Sequence, residues 1–198
     1  METVLVIGAT GNIGVSAVRA ALNTGRNVIA VVRNKASTNK LIRTSRSWAN
    51  VNNVTVGTFD LTPRITDLST EAFRRAMNVN VDANFFAYRA TVPYLLEQDY
   101  EKSTWTLVTG AASDSGALYS LATVVCRELD HTNVRFNEVW LAFRVEHDEI
   151  AAKNGSIGSS VLAPHYEQIL TRPEISASRV RLAKPADIAN FTYSKKLG

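Results

Sequence analysis

Thr3-Val4-Leu5-Val6-Ile7 runs straight into Gly8-Ala9-Thr10-Gly11-Asn12-Ile13-Gly14, and this junction decides the reading of the chain. The first stretch is apolar and β-branched without alternation, which predicts a central parallel strand buried on both faces. Asn12–Thr24 follows with Ala17, Val18, Ala20, Ala21 and Leu22 as the apolar positions of a helix, and Gly25 stands where a C′ residue belongs. Asn27–Val32 reads as a second buried strand. With strand, turn, helix and strand in register, each glycine has a physical role. The first permits the tight turn, the second lets backbone approach a phosphate, and the third lets the helix pack on the strand. Free N–H groups at the helix start then face an anion. The segment predicts a dinucleotide-binding β-α-β unit, with Gly8, Thr10, Gly11, Asn12, Ile13 and Gly14 as its cofactor-binding residues.

The residues after the second strand set the adenosine preference. A carboxylate there binds a ribose 2′-hydroxyl, whereas arginine favours a 2′-phosphate. This chain has Arg33-Asn34-Lys35, and no Asp or Glu falls between Gly8 and Asp60. Arg33 can meet a phosphate bidentately while Lys35 adds point charge, so NADP(H) is expected ahead of NAD(H). A solvated cation pair is the alternative. Asp60 reads either as an adenine contact or as an ordinary loop residue.

Charge follows the same geography. The net charge of +4 is concentrated in residues 1–60, where Arg19, Arg26, Arg33, Lys35, Lys40, Arg43 and Arg46 face only Glu2 and Asp60. An anionic ligand explains that bias. The basic stretch lacks interleaved aromatics and a recognition-helix pattern, so nucleic acid is not expected. The start reads as a strand and not as a signal peptide, and no apolar run approaches a membrane span. Cys126 is the single cysteine, which with these features suggests a reducing, cytoplasmic setting.

Beyond residue 33 the pattern keeps alternating. A polar helix or loop covers 34–50, and a third strand is expected at Asn53–Val56. Phe73, Met77, Val81, Phe85, Tyr88, Val92 and Leu95 recur at helical steps across 71–97. Trp105–Thr109 is a buried strand, 115–129 a helix, and Val134–Phe143 another strand. Helices are expected at 145–153 and 160–171 around a Gly/Ser-rich loop, then a short strand at Arg179–Leu182. The fold class is α/β: a doubly wound, Rossmann-type parallel sheet in three αβα layers, one domain over 1–198. Residues 1–60 form its cofactor half and 71–198 its catalytic half.

GATGNIG followed by VVRN resembles the short-chain dehydrogenase/reductase superfamily, in particular its atypical, NmrA-like branch. Phe73–Leu96 is similar to the family's long helix, whose structural and catalytic Asn falls on Asn80. Gly116–Leu129 is similar to the helix carrying Tyr-x-x-x-Lys, which places the catalytic tyrosine on Tyr119. The stretch 103–190 also resembles divergent fungal reductase-like proteins of secondary metabolism. The resemblance implies that Tyr119 acts as proton donor, aided by Asn80 and by Ser113, the hydroxyl nearest the family's serine position. It further implies a small carbonyl or enone substrate, with a homodimer built on helices 71–97 and 115–129. Those apolar faces can equally serve the chain's own core.

The sequence also departs from that pattern. Thr123 occupies the lysine position, and a neutral hydroxyl cannot supply the charge of an ammonium. Leu141-Ala142-Phe143-Arg144 stands where a substrate-loop Pro-Gly is expected. Between Asp60 and Glu71 the family places a helix, a fourth strand and a turn, for which this chain has little room. The sheet is therefore expected to be shortened in the centre, with Trp105–Thr109 pairing directly with Thr3–Ile7. These losses keep two other readings open: a non-redox cyclase or isomerase on the same scaffold, and a non-catalytic NADP-sensing regulatory protein. Arg127, two turns beyond Tyr119 on its helix face, reads as a surface residue. His131, His147 and His165 show no metal-ligand spacing. His165-Tyr166 is a weaker substrate-side candidate, and Cys126 reads as a small core residue.

Overall fold

The computed structural model describes residues 2–32, 51–53, 65–98, 100–110 and 115–197. They fall into two compact units, one from Met1–Val56 with Arg144–Arg172 and the other from Gly57–Phe143 with Pro173–Gly198.

The first unit opens with β1 (Thr3–Ile7), α1 (Asn12–Asn23), β2 (Asn27–Val32) and β3 (Val51–Asn53). The three strands pair in parallel in the order β1-β2-β3, with Thr3 opposite Asn27 and Ile7 opposite Val31. One face of this ladder carries Val6, Val28, Ala30 and Val32, which pack on Val15, Val18 and Ala21 of α1. Burying a valine of this kind contributes roughly 1.5–3 kcal/mol. The helix ends as its sequence dictates. Gly25 adopts a φ of 73° and donates to the Leu22 carbonyl, and Arg26 donates to that of Ala21, which together form a Schellman closure.

The other face differs from expectation. Leu5 and Ile7 are 45% and 47% exposed, so β1 is buried on one face and not on two. A doubly wound sheet covers its second face with crossover helices, and the short interval after Asp60 removes sequence from which such a cover is built. The third strand is described over Val51–Asn53, earlier than expected, and 54–56 lie outside the described residues. Residues 145–146 belong to β6 (Val145–Glu146), paired in parallel with β7 (Ile157–Gly158), and not to a helix. The helix expected from 145 starts later, as α2 (Asp148–Asn154). Its Asp148 accepts from Ser160 N and Ser159 Oγ and pairs with Arg19 at 2.8 Å. The last helix of the unit, Ser159–Thr171, packs on α1, with Ser16 Oγ donating to the Ser159 carbonyl at 2.7 Å.

In the second unit, helix covers Thr70–Met77, a wider π turn covers Asn78–Asp82, and helix resumes over Ala83–Glu97. The sheet orders β4 (Thr104–Gly110), β5 (Arg135–Leu141), β8 (Ser178–Leu182) and β9 (Tyr193–Lys195), the first three parallel and the last antiparallel. The helix Ser115–Glu128 packs on β4 and β5 through Leu118, Ala122, Val125 and Cys126. Trp105 and Phe136 stack at 5.5 Å, and Tyr88 meets both edge-on. Of the expected helical stripe, Tyr88 and Val92 are buried, while Phe73 and Phe85 stand 53% and 42% exposed.

Within the first unit β1 pairs with β2, and within the second β4 pairs with β5. β9 was not expected at all: three polar or half-buried residues carry no strand period of their own.

Candidate functional site

The glycine turn in the first unit has the geometry its spacing demands. Gly8 sits at φ +72°, and its carbonyl accepts from Gly11 N at 2.9 Å. Ala9 N ties the turn to β2 through the Val31 carbonyl. A Cβ on Gly14 would stand 2.2 Å from the Gly8 carbonyl oxygen and 3.0 Å from Ala9 Cα. Only glycine allows the helix to press so closely on the turn. At the start of α1, Gly11 has no side chain to cap the helix, and the first turn carries no acid. Among the described residues the orphan N–H groups there meet no side-chain cap, which leaves them able to meet an anion.

Beside the turn lies a pair that spacing did not reveal. Asn12 Nδ2 donates to Glu146 Oε2 at 3.0 Å, and Arg144 Nε binds the other oxygen of the same carboxylate. Glu146 is almost fully buried while the Arg144 side chain is 81% exposed. The Asn12 amide is therefore engaged within the protein, and a reachable cation stands one residue pair away. Thr10 and Ile13 fall within the same turn and first helical turn. Arg33, Lys35 and Asp60 lie outside the described residues.

The second unit holds Tyr119, 47% exposed on the helix Ser115–Glu128, its hydroxyl without a hydrogen-bond partner among the described residues. Thr123, at the expected lysine position, uses its hydroxyl on the Tyr119 carbonyl at 3.0 Å. Positive charge arrives from elsewhere. Lys196 Nζ lies 3.8 Å from the Tyr119 ring centroid, and the Arg179 guanidinium lies 4.3 Å from it. Both cations are anchored by Glu138, which is fully buried on β5. Arg179 donates from Nε and Nη2 to its two oxygens, each at 2.9 Å. Lys196 Nζ donates at 2.6 Å and Thr109 Oγ1 at 2.7 Å. Burial alone would raise the Glu138 carboxyl, but the bonds from Arg179, Lys196 and Thr109 prevail and hold it below the usual carboxylate range. Alternation along β5 and β8 was the available signal, since Glu138 and Arg179 are cross-strand partners. Nothing local pointed to Lys196.

The remaining candidates are dispersed. Asn80 lies in the π turn, where its carbonyl accepts from Asn84 Nδ2 at 2.6 Å. No hydrogen bond joins Asn80 to Tyr119 among the described residues, and Ser113 lies outside them. His165 and Tyr166 are buried on the helix Ser159–Thr171, and burial pushes the Tyr166 hydroxyl upward. Cys126 is a core residue, its thiol pushed up to about 11 by burial against the opposing effect of Lys196. No described helix is long and apolar enough to cross a membrane.

Comparison with known proteins bears on all of this. Residues 1–91 match the NmrA-like family. The short-chain dehydrogenase/reductase iacG of Pestalotiopsis fici is 41% identical, with 98% of this chain and 96% of that protein covered. That alignment extends over 240 residues against a chain of 198, so the relative carries sequence that this chain lacks. Among solved structures, the 3-oxoacyl (acyl-carrier-protein) reductase of Agrobacterium tumefaciens, with NADP bound, superposes with a TM-score of 0.75 at 12% identity, covering 91% of this chain and 92% of that one. The MalC reductase/Diels-Alderase of Malbranchea aurantiaca gives 0.72 at 16% identity, covering 92% and 94%. Likeness at such identities speaks to the fold, which is the Rossmann-type α/β fold.

Proposed function

The chain belongs to the short-chain dehydrogenase/reductase superfamily, and from that premise we propose that it binds NADP(H) and reduces a small carbonyl or enone of secondary metabolism. The observation that carries this reading is the glycine cradle, where Gly14 presses on Gly8 in front of an uncapped helix. A pyrophosphate fits such a cradle by charge and by room. Gly8, Thr10, Gly11, Asn12, Ile13 and Gly14 hold it through backbone, and exposed Arg144 adds neutralising charge. By sequence position, Arg33 and Lys35 would receive the 2′-phosphate and Asp60 the adenine. In this reading residues 1–60 are the cofactor half of a single domain and 71–198 the catalytic half.

A nicotinamide cofactor held by this cradle would supply the hydride for reduction of the substrate. Tyr119 donates the proton that the new hydroxyl or saturated carbon requires, from a hydroxyl left unengaged by the described residues. Lys196 and Arg179 support negative charge on that ring as the proton leaves, in place of the lysine that Thr123 replaces. Asn80 and Ser113 assist proton supply. Tyr119→Phe tests the reading: NADPH-dependent turnover across a panel of small ketones and enones falls by at least about a hundredfold, and unchanged turnover removes tyrosine from the chemistry.

One observation favours a second reading, a cyclase or isomerase that uses the pocket without consuming cofactor. The fold likeness extends to a protein named as both reductase and Diels-Alderase, and Thr123 puts a neutral hydroxyl where the family's lysine stands on the proton-donor helix. A non-catalytic NADP-sensing protein is compatible with the same departures. Steady NADPH consumption with any member of the panel excludes both. Exposed Phe85, Phe86 and Val124 on the two long helices suit a homodimer, and a cytoplasmic location suits the cofactor.

A further inference from the structure

The carboxylate of Glu138 is saturated. Its Oε1 accepts from Thr109 and Arg179, and its Oε2 accepts from Arg179 and Lys196. Two cations on one carboxylate leave one positive charge in excess. The Arg179 bonds use its Nε and Nη2, so the outer edge formed by the two terminal nitrogens has no acceptor among the described residues. That edge is a ready fork for two oxygens.

The sheet places a second cation beside it. Across β4, β5 and β8, the row Leu107–Glu138–Arg179 is followed by the row Thr109–Trp140–Arg181. Arg181 is exposed, has no ion-pair partner among the described residues, and lies 5.2 Å from the Trp140 ring centroid. The second row is the one nearer the carboxyl ends of these parallel strands, the side on which open α/β sheets bind ligands. Two guanidinium planes backed by aromatic rings, with surplus positive charge, select for a flat anion over a neutral ketone.

We propose that this part of the second unit seats the substrate, and that the substrate is a planar conjugated acid whose carboxylate rests on Arg179 and whose ring system lies against Arg181. The inference rests on the reading of Tyr119 as proton donor, because it places the anion beside that ring. The substrate class thereby narrows from small carbonyls to aromatic or conjugated acids.

The test uses the full chain without added cofactor, so NADP(H) binding can fail while this result stands, and the reverse. Benzoate is the probe and benzamide its neutral match, with binding read by saturation-transfer NMR and calorimetry. Benzoate is expected to bind, to weaken as ionic strength rises, and to weaken about tenfold in Arg179→Lys and in Arg181→Ala. Benzamide is expected to bind at least about tenfold more weakly than benzoate. Equal binding of the two probes, or wild-type benzoate affinity in Arg181→Ala, overturns the assignment. Arg181 is exposed and its removal spares the buried Glu138 pair, so that variant decides even where Arg179→Lys fails to fold.

Discussion

Lys196 Nζ stands 3.8 Å from the centre of the Tyr119 ring and 2.6 Å from the buried Glu138 carboxylate. One ammonium thus neutralises a core acid and faces the tyrosine whose own helix has Thr123 at the lysine position. The side chain of Lys196 is almost fully buried, which marks the contact as part of the packed interior.

Lys196→Met removes one of the four hydrogen bonds to Glu138 and leaves that carboxylate with Arg179 and Thr109. The expected cost is about 2 kcal/mol, read as a lower urea midpoint with an unchanged slope. Lys196→Arg keeps the charge and recovers most of it. Equal midpoints for wild type and Lys196→Met would show that the buried pair contributes nothing.

Gly14→Ala drives a methyl group into the Gly8 carbonyl, with only backbone atoms available to yield. A cost of about 1–3 kcal/mol and a loss of NADPH binding are expected. Gly116→Ala is the matched control. Its added Cβ meets nothing within 4 Å, and alanine in a helix gains about 0.5–1 kcal/mol over glycine. Thermal denaturation of both variants separates close packing at one glycine from a general intolerance of substitution.

Acid should weaken both units. Glu138 and Asp148 are held below the ordinary carboxylate range, burial opposing and hydrogen bonds prevailing in each. A folded value below the unfolded one adds stability above the unfolded range, near 4.5 for Glu138, and that stability is lost as pH falls through the folded value. Glu138→Gln removes its part of the dependence, so its stability profile between about pH 7 and pH 3 is flatter than that of wild type. Parallel profiles would show that the carboxylate is not stabilised by folding.

Cys126 is 2% exposed, and burial pushes its thiol up to about 11. At pH 8 the folded chain therefore offers a neutral, sealed thiol. Reaction with an aromatic disulfide reagent is expected to be slow and limited by opening, and to become fast in urea. Labelling of the folded protein within mixing time contradicts the packing described for this helix.

How much of this was legible beforehand follows physical lines. The β1-α1-β2 unit could be read nearly to the residue because strand, glycine turn and Schellman closure are local, and Gly8, Gly14 and Gly25 advertise their backbone needs. The exposed face of β1 could not, since Leu5 and Ile7 look the same whether or not another element covers them. Val145 and Glu146 suit a helix pattern and a two-residue strand equally, and His147 decides between them only through its extended backbone. The π turn at Asn78–Asp82 leaves no mark in an otherwise continuous helical period. Lys196 lay beyond any local rule, because its partners Tyr119 and Glu138 are 77 and 58 residues away along the chain.

The most direct measurement of the central claim is calorimetric titration of the purified chain, stripped of small molecules, with NADPH and with NADH. NADPH is expected to bind with unit stoichiometry, at least about tenfold more tightly than NADH, and not to bind Gly14→Ala. Absence of binding by either nucleotide to the folded wild-type chain would contradict the reading of Gly8–Gly14 as a cofactor cradle, and with it the function proposed for the protein.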